Sequence, residues 1–213
     1  MKELLERDFA TSYGLNRQVK VEAETKSDAF GETDGKACND CVLEKFKGCK
    51  EKVVSWHHSD TSVEIIQLEN FFRQFGNKPE IAGRGCCDRL MCTSKQIVVM
   101  DMTCCYSKYL DTHTIDGSDV IGKREKAYQQ MAESIEKLKH CQSIDQELNS
   151  YKQRIALFAF RKKNTETESD AEKGMKSFMK MSDDFASRTD LQTDMGNGFK
   201  FVIQEYPSVF EWM

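Results

Sequence analysis

The chain has 213 residues, 39% hydrophobic and 31% charged, with 2 Pro and 12 Gly. That is enough apolar mass for one cored domain, or one domain with a small appendage. Thirty-one Lys plus Arg against 35 Asp plus Glu leave a formal charge of -4, which argues against indiscriminate polyanion binding. No apolar run approaches the roughly 18 residues a membrane span needs, and Met1 to Gly14 is no apolar signal segment. The expectation is a soluble intracellular protein, cytoplasmic or nuclear, with no membrane partner. Nine cysteines are an odd number, which excludes a fully paired secreted framework and favours reduced thiols or a metal site.

In chain order, Glu3 to Phe9 can start a short helix, Val19 to Ala23 a strand, and the polar stretch Thr25 to Lys36 reads as a loop. Thr61 followed by Glu64 fits a capping box, and Ile65, Leu68, Phe72 and Phe75 recur at helical spacing. The pattern predicts an amphipathic helix over 61–75, stopped by Gly76-Asn77. After the Gly83 to Gly85 turn the period becomes two. Cys87 to Cys92 reads as a strand, Thr93 to Lys95 as a tight connection and Gln96 to Cys104 as a second strand. On that second strand Val99, Asp101 and Thr103 share one face, and Val98, Met100 and Met102 the other.

Ser107 to Gly122 is too polar and broken for a core element. A long helix follows from Lys123 to His140 with Ala127, Met131, Ile135 and Leu138 as its apolar stripe. Arg154 to Phe160 is a nearly continuous apolar run, as in a strand covered on both faces. Asn164 to Glu172 reads as a solvated loop, Met175 to Phe185 as a helix and Phe199 to Gln204 as a last strand. A hairpin feeding a crossover helix and another strand predicts an α/β or α+β fold, a mixed sheet flanked by helices.

Two groups of residues carry chemistry. Counted from the Thr93 to Lys95 connection, Asp88 and Asp101 fall roughly opposite each other on the hairpin. Paired carboxylates repel unless a cation or proton lies between them, and oxygen ligands suit Mg²⁺ or Mn²⁺. The structural alternative pairs Asp88 with Arg89 or Arg84, and Asp101 with Lys108. Cys38-x-x-Cys41 followed by Cys49 offers three thiolates for a structural Zn²⁺, with His57, His58, Cys86 or Cys87 as the fourth ligand. An iron-sulfur cluster or ordinary thiols are the alternatives, and Cys87, Cys92 and Cys104 read as small apolar residues.

The order of elements from Thr61 to Lys163 resembles that of the restriction-endonuclease-like nucleases with the PD-(D/E)XK signature. There a helix acid precedes a hairpin whose first strand starts with an acid; the second strand carries an acid and a lysine two apart, and a helix with Gln or Lys leads to another core strand. The resemblance implies a metal-dependent nuclease acting on DNA or RNA. Asp88, Asp101, a helix acid (Glu64 or Glu69, with Glu80 as a further candidate) and the Met102 carbonyl would hold Mg²⁺ or Mn²⁺. Lys123, Arg124, Lys126, Gln130 and the basic end Arg161 to Lys163 would meet the nucleic acid. Viral cap-snatching endonucleases of this fold add an upstream histidine, for which His57 or His58 stands here. Two positions depart from the signature: Cys87 replaces its proline and Thr103 its lysine. Lys95, Lys108 or Lys126 would then have to supply the cation. With Thr103 in that place, a second reading is a nuclease-like fold kept for nucleic-acid or protein binding within a larger complex. The resemblance divides the chain into an N-terminal segment, 1–58, bearing the cysteine motif, and a nuclease-like core, 59–213.

Overall fold

The strict two-residue alternation of Gln96 to Cys105 organises the molecule around one strand buried on both faces and paired on both edges. The structure, a computed structural model, describes residues 1–33, 37–38, 53–76, 78–82, 85–115, 118–162, 193–195 and 198–213. The chain opens with a helical segment made of α1 (Lys2–Leu4), a π-helical turn (Leu5–Phe9) and α2 (Ala10–Ser12), which buries Leu5, Phe9 and Ala10. Strand β1 (Ala23–Thr33), with the short β2 (Ala37–Cys38) on its outer edge, pairs antiparallel with the long β3 (Val53–Gln67). Two short helices, α3 (Leu68–Arg73) and α4 (Pro79–Ala82), lead to the hairpin β4 (Arg89–Cys92) and β5 (Gln96–Cys105). A 3₁₀ turn (Ser107–Tyr109) and the small hairpin β6 (His113–Ile115) and β7 (Ser118–Val120) precede α5 (Lys123–Lys139) and α6 (Gln142–Ser150). Strands β8 (Gln153–Lys162), β9 (Thr193–Asp194), β10 (Lys200–Glu205) and β11 (Val209–Glu211) complete the described residues.

The main sheet runs β2-β1-β3-β4-β5-β8-β10-β9, and β11 pairs with β3. Strands β3, β4 and β5 form an antiparallel meander; β8 is parallel to β5 and β10 parallel to β8. This is the mixed sheet that the sequence predicts. The α5–α6 connection makes the parallel step between β5 and β8 possible, since a hairpin cannot.

Alternation along the central strands divides the core in two. Leu90, Cys92, Ile97, Val99, Ala156 and Phe158 face the helices, against Phe9, Phe71, Phe72, Ala127, Met131, Ile135 and Leu138. Each fully buried Leu, Ile, Met or Phe here contributes about 1.5–3 kcal/mol. Met91, Val98, Met100, Met102, Leu157 and Ala159 face the other way, against Phe30, Val54 and Trp212. That second face is covered by strands. The start of β3 reaches back over it, where Ser55 bonds Gln204 (2.8 Å) and the Val53 carbonyl accepts from Arg161 Nη1 (3.1 Å).

Several expectations are corrected. The predicted helix over 61–75 is a strand to Gln67 and a helix only from Leu68, because Val63, Ile65 and Ile66 suit a pleated surface and are fully buried. The predicted loop Thr25 to Lys36 is β1 as far as Thr33, and of the predicted strand Val19 to Ala23 only Ala23 is in a strand, as the first residue of β1. Strand β3 runs unbroken across residue 58, where the N-terminal segment was expected to end. Cys41, Cys49, Lys163 and the expected elements between 164 and 185 lie outside the described residues, as does the side chain of Cys38. Among the described residues no helix is long and apolar enough to cross a membrane.

Candidate metal centre

Asp88 stands at a bend one residue before β4; Asp101 lies in β5 on the face of Ile97 and Val99. The hairpin register pairs Arg89 with Met100 and ends there, so Asp88, at the bend before β4, comes next to the Asp101–Met102 stretch of β5. The Asp88 carboxylate passes beyond the end of the ladder and accepts the Met102 N–H at 2.8 Å. The N–H and C=O of a strand residue point to the same edge, so the Met102 carbonyl also faces Asp88. Asp101 is 9% exposed, so little water reaches it except through the site.

The surroundings fix Asp88 and the loop that enters it. The Asp88 carbonyl accepts the first amides of α3, Leu68 N–H (3.0 Å) and Glu69 N–H (3.4 Å). Ser134 on α5 accepts the Cys87 N–H (3.0 Å) and donates to the Gln130 carbonyl (2.8 Å). Gln130 Nε2 in turn donates to the Cys86 carbonyl (3.3 Å), and Lys137 reaches Cys86 Sγ (3.6 Å) and the Gly85 carbonyl (3.4 Å). Burial pushes the Cys87 thiol well above its ordinary value, and the Asp101 and Asp88 charges add to this. Burial also raises Cys86 despite the nearby Lys137 ammonium. Neither thiol is a ready thiolate.

The expected site residues separate accordingly. Glu64 pairs with Cys92 on β4, which faces Ile97; that is four residues from Asp101 along β5, about 13 Å. Its carboxylate meets the Met1 ammonium (3.5 Å) and Cys92 Sγ (3.5 Å), so it is a strand residue away from the acids. Glu69 sits in the first turn of α3 beside Asp88, its carboxylate paired with Arg73 (2.5 Å). Lys95, at the far end of the hairpin, is six residues from Asp101, about 20 Å. Lys108 lies over the Tyr109 ring (4.9 Å) beyond the end of β5. Lys126 is exposed on α5, one turn before Gln130; Lys123 is exposed at the start of that helix, and Arg124 pairs with Asp111 (3.3 Å). Lys162 is on the helix-covered side with Phe160 and pairs with Glu205 (3.0 Å). Arg161 faces the other way, over Tyr206 (4.4 Å).

His57 is also on the strand-covered face, and it is not a ligand. The amide of Gln204 donates to the Trp56 and Ser208 carbonyls, which leaves its oxygen for the Ser55 hydroxyl. Ser55 therefore accepts from His57 Nε2 (2.9 Å), while Nδ1 accepts the Trp212 indole N–H (3.3 Å). Both ring nitrogens are used, and complete burial pushes His57 down to about 3. His58 is exposed and pairs with Glu211 (2.8 Å).

Asp88, Asp101 and the Met102 carbonyl would offer hard oxygen donors, the type that Mg²⁺ or Mn²⁺ takes. Among the described residues no group of three or more His, Cys, Asp and Glu side chains is arranged to hold a metal ion. Sequence reasoning missed Ser134, which secures the Cys87 amide, and the buried pair Glu32–Arg89 behind the site. Glu32 lies in the polar stretch read as a loop, and only its spacing of two from Phe30 signals a strand face. No protein-family model, curated protein or solved structure matches the chain.

Proposed function

We propose that the chain is a divalent-metal-dependent nuclease that hydrolyses phosphodiester bonds in DNA or RNA at Asp88 and Asp101. The observation that carries this reading is the juxtaposition of the two acids, with the Met102 N–H on Asp88 Oδ2 and the Met102 carbonyl turned to the same edge. Asp88 is half-buried and Asp101 buried at one end of the hairpin, and neighbouring carboxylates in such a setting favour a cation. The order of the meander, α5 and the parallel β8 also supports it, since the PD-(D/E)XK resemblance implies that order.

A bound Mg²⁺ or Mn²⁺ polarises the scissile phosphate and lowers the pKa of its water. The chain's part is to hold geometry: Asp88 and Asp101 orient the ion, and Gln130 and Ser134 hold the loop before Asp88. Lys126, one turn from Gln130 on α5, is the cation assigned to the phosphate in place of the signature lysine. Lys123 and Lys162 would add salt-dependent phosphate contacts.

Cleavage of single- and double-stranded DNA and RNA with Mg²⁺, Mn²⁺ or EDTA tests this. Activity should vanish in EDTA and in Asp88→Ala and Asp101→Ala, and Lys126→Ala should lose most of it. Activity that survives either aspartate substitution refutes the assignment. Metal-independent binding with no cleavage by the parent would instead favour the binding-module reading.

A further inference from the structure

Behind the acids, on the strand-covered face, the Arg89 guanidinium contacts three oxygens. Its Nε donates to Glu32 Oε2 at 3.1 Å, Nη1 to the Asp88 carbonyl at 3.1 Å and Nη2 to the Thr33 carbonyl at 3.5 Å. Arg89 is 2% exposed and Glu32 is fully buried, and Glu32 Oε1 has no hydrogen-bond partner. An ion pair this deep contributes little to stability by itself, because desolvation offsets most of its attraction. What it does achieve is local. The Asp88 carboxylate reaches β5 at the Met102 N–H, while its carbonyl is gripped by the guanidinium from the strand-covered side.

We propose that Arg89, itself anchored by Glu32, is a positioning residue that fixes the Asp88 peptide and through it the carboxylate offered to the metal; this rests on the metal-site reading above. The peptide is clamped from two sides, by the α3 amides of Leu68 and Glu69 and by the guanidinium. Only the guanidinium is tied to β1, so it couples the first turn of the hairpin to the β1–β3 pair. Removing it leaves the α3 contacts but frees the carbonyl to tilt about them, which moves the carboxylate away from the Met102 N–H. Groups of this kind typically change metal affinity ten- to hundredfold without touching the ion.

The test separates positioning from folding. Arg89→Met alone strands the Glu32 charge and is expected to be strongly destabilised, so the working variant is Glu32→Leu/Arg89→Met, which replaces the pair by apolar side chains of similar volume. Arg89→Lys keeps the charge opposite Glu32 without the fork that spans two oxygens. Calorimetric titration with MnCl₂ should show affinity falling about tenfold or more in the double variant and less in Arg89→Lys, with circular dichroism spectra unchanged. A second readout needs no metal: the ¹⁵N–¹H shift of the Met102 amide should report loss of its bond to Asp88 in the double variant. Parental Mn²⁺ affinity and an unshifted Met102 amide in the double variant overturn the proposal. A parent that binds no Mn²⁺ refutes the metal site itself, and the Met102 amide then decides whether Arg89 positions Asp88.

Discussion

The two faces of the central sheet handle polar groups in opposite ways. On the strand-covered face Glu32, Arg89, Ser55, His57 and Gln204 are all buried and consume one another's hydrogen-bonding capacity, apart from one oxygen of Glu32. On the helix-covered face Asp101 lies at one end, where β4 stops short of β5 and the Met102 backbone meets Asp88, and Glu64 lies at the other with the Met1 ammonium. Buried groups that satisfy each other make structure and specify register. Oxygens brought together where a ladder ends are placed for chemistry. By that contrast His57, satisfied by Ser55 and Trp212, is a structural residue, and the acids are the pair to which the proposed function is assigned.

The contrast has its largest expected consequence in acid. In the unfolded chain His57 binds its proton near the ordinary 6.5, in the folded chain only near about 3. Its contribution is therefore complete above pH 6.5 and lost as pH falls toward 3, about 5 kcal/mol in all. Glu32 acts in the opposite sense. Burial outweighs the Arg89 charge and raises it from 4.5 to about 7, so the folded state is favoured below pH 4.5 and loses about 3 kcal/mol as pH rises to 7. Between 4.5 and 6.5 the two slopes cancel. Urea midpoints across pH 3 to 7 should show the parent gaining on His57→Gln as pH rises, and Glu32→Gln gaining on the parent. Difference curves that are flat for either variant would mean that its network is open to water.

Breaking the ion pair comes next. Arg89→Met should cost about 3–5 kcal/mol, since it strands a buried carboxylate, whereas the double replacement with Glu32→Leu should be close to neutral. Chemical denaturation measures both. Equal losses in the single and double variants would show that packing around the pair, and not its charge, holds this face together.

On the opposite face the corresponding change is smaller. Ser134→Ala removes the acceptor of the buried Cys87 N–H and should cost about 1–3 kcal/mol of stability. Because that amide belongs to the loop entering Asp88, cleavage should fall by more than the stability loss explains at a temperature where the variant is folded. A variant equal to the parent in both would place the hold on this loop elsewhere, in Gln130 and Lys137.

How far these faces are legible in the sequence depends on whether a single period governs each segment. The hairpin, the helix at 123–139 and the strand at 153–162 each follow one period from end to end, and the structure has them within a few residues of expectation. Residues 61–75 do not. Ile65 belongs to β3, Leu68 and Phe72 to α3 and Phe75 to the turn after it, yet their spacing imitates one helix, and Thr61 with Glu64 imitates its cap. Strand β1 escaped because its first half is exposed or half-buried and carries no apolar alternation; only Phe30 to Glu32 are buried. For the site, counting along the hairpin singles out Asp88 and Asp101, and the structure bonds Asp88 to Met102, the residue after Asp101. Glu32 and Arg89 escape such counting, because their contact depends on how β1 is carried by β3 to the end of β4, which no local pattern encodes.

The smallest effect tests the loop that joins the faces. Gly85 has φ +94°, and a Cβ there would meet Glu133 Oε2 at 2.1 Å and its Cδ at 2.7 Å. Two costs are thus superposed in Gly85→Ala. The contact is with the far end of a flexible side chain on α5, which can rotate away, whereas the positive φ is a property of the backbone and costs about 1–2 kcal/mol for a residue with a Cβ. Gly85→Ala should therefore lose about that much, and adding Glu133→Ala should recover little of it, as urea midpoints will show. If the double variant returns to the parental midpoint, steric contact with α5 and not the backbone sets the conformation at Gly85, and the geometry of the Cys86 to Asp88 approach is then imposed by the helix.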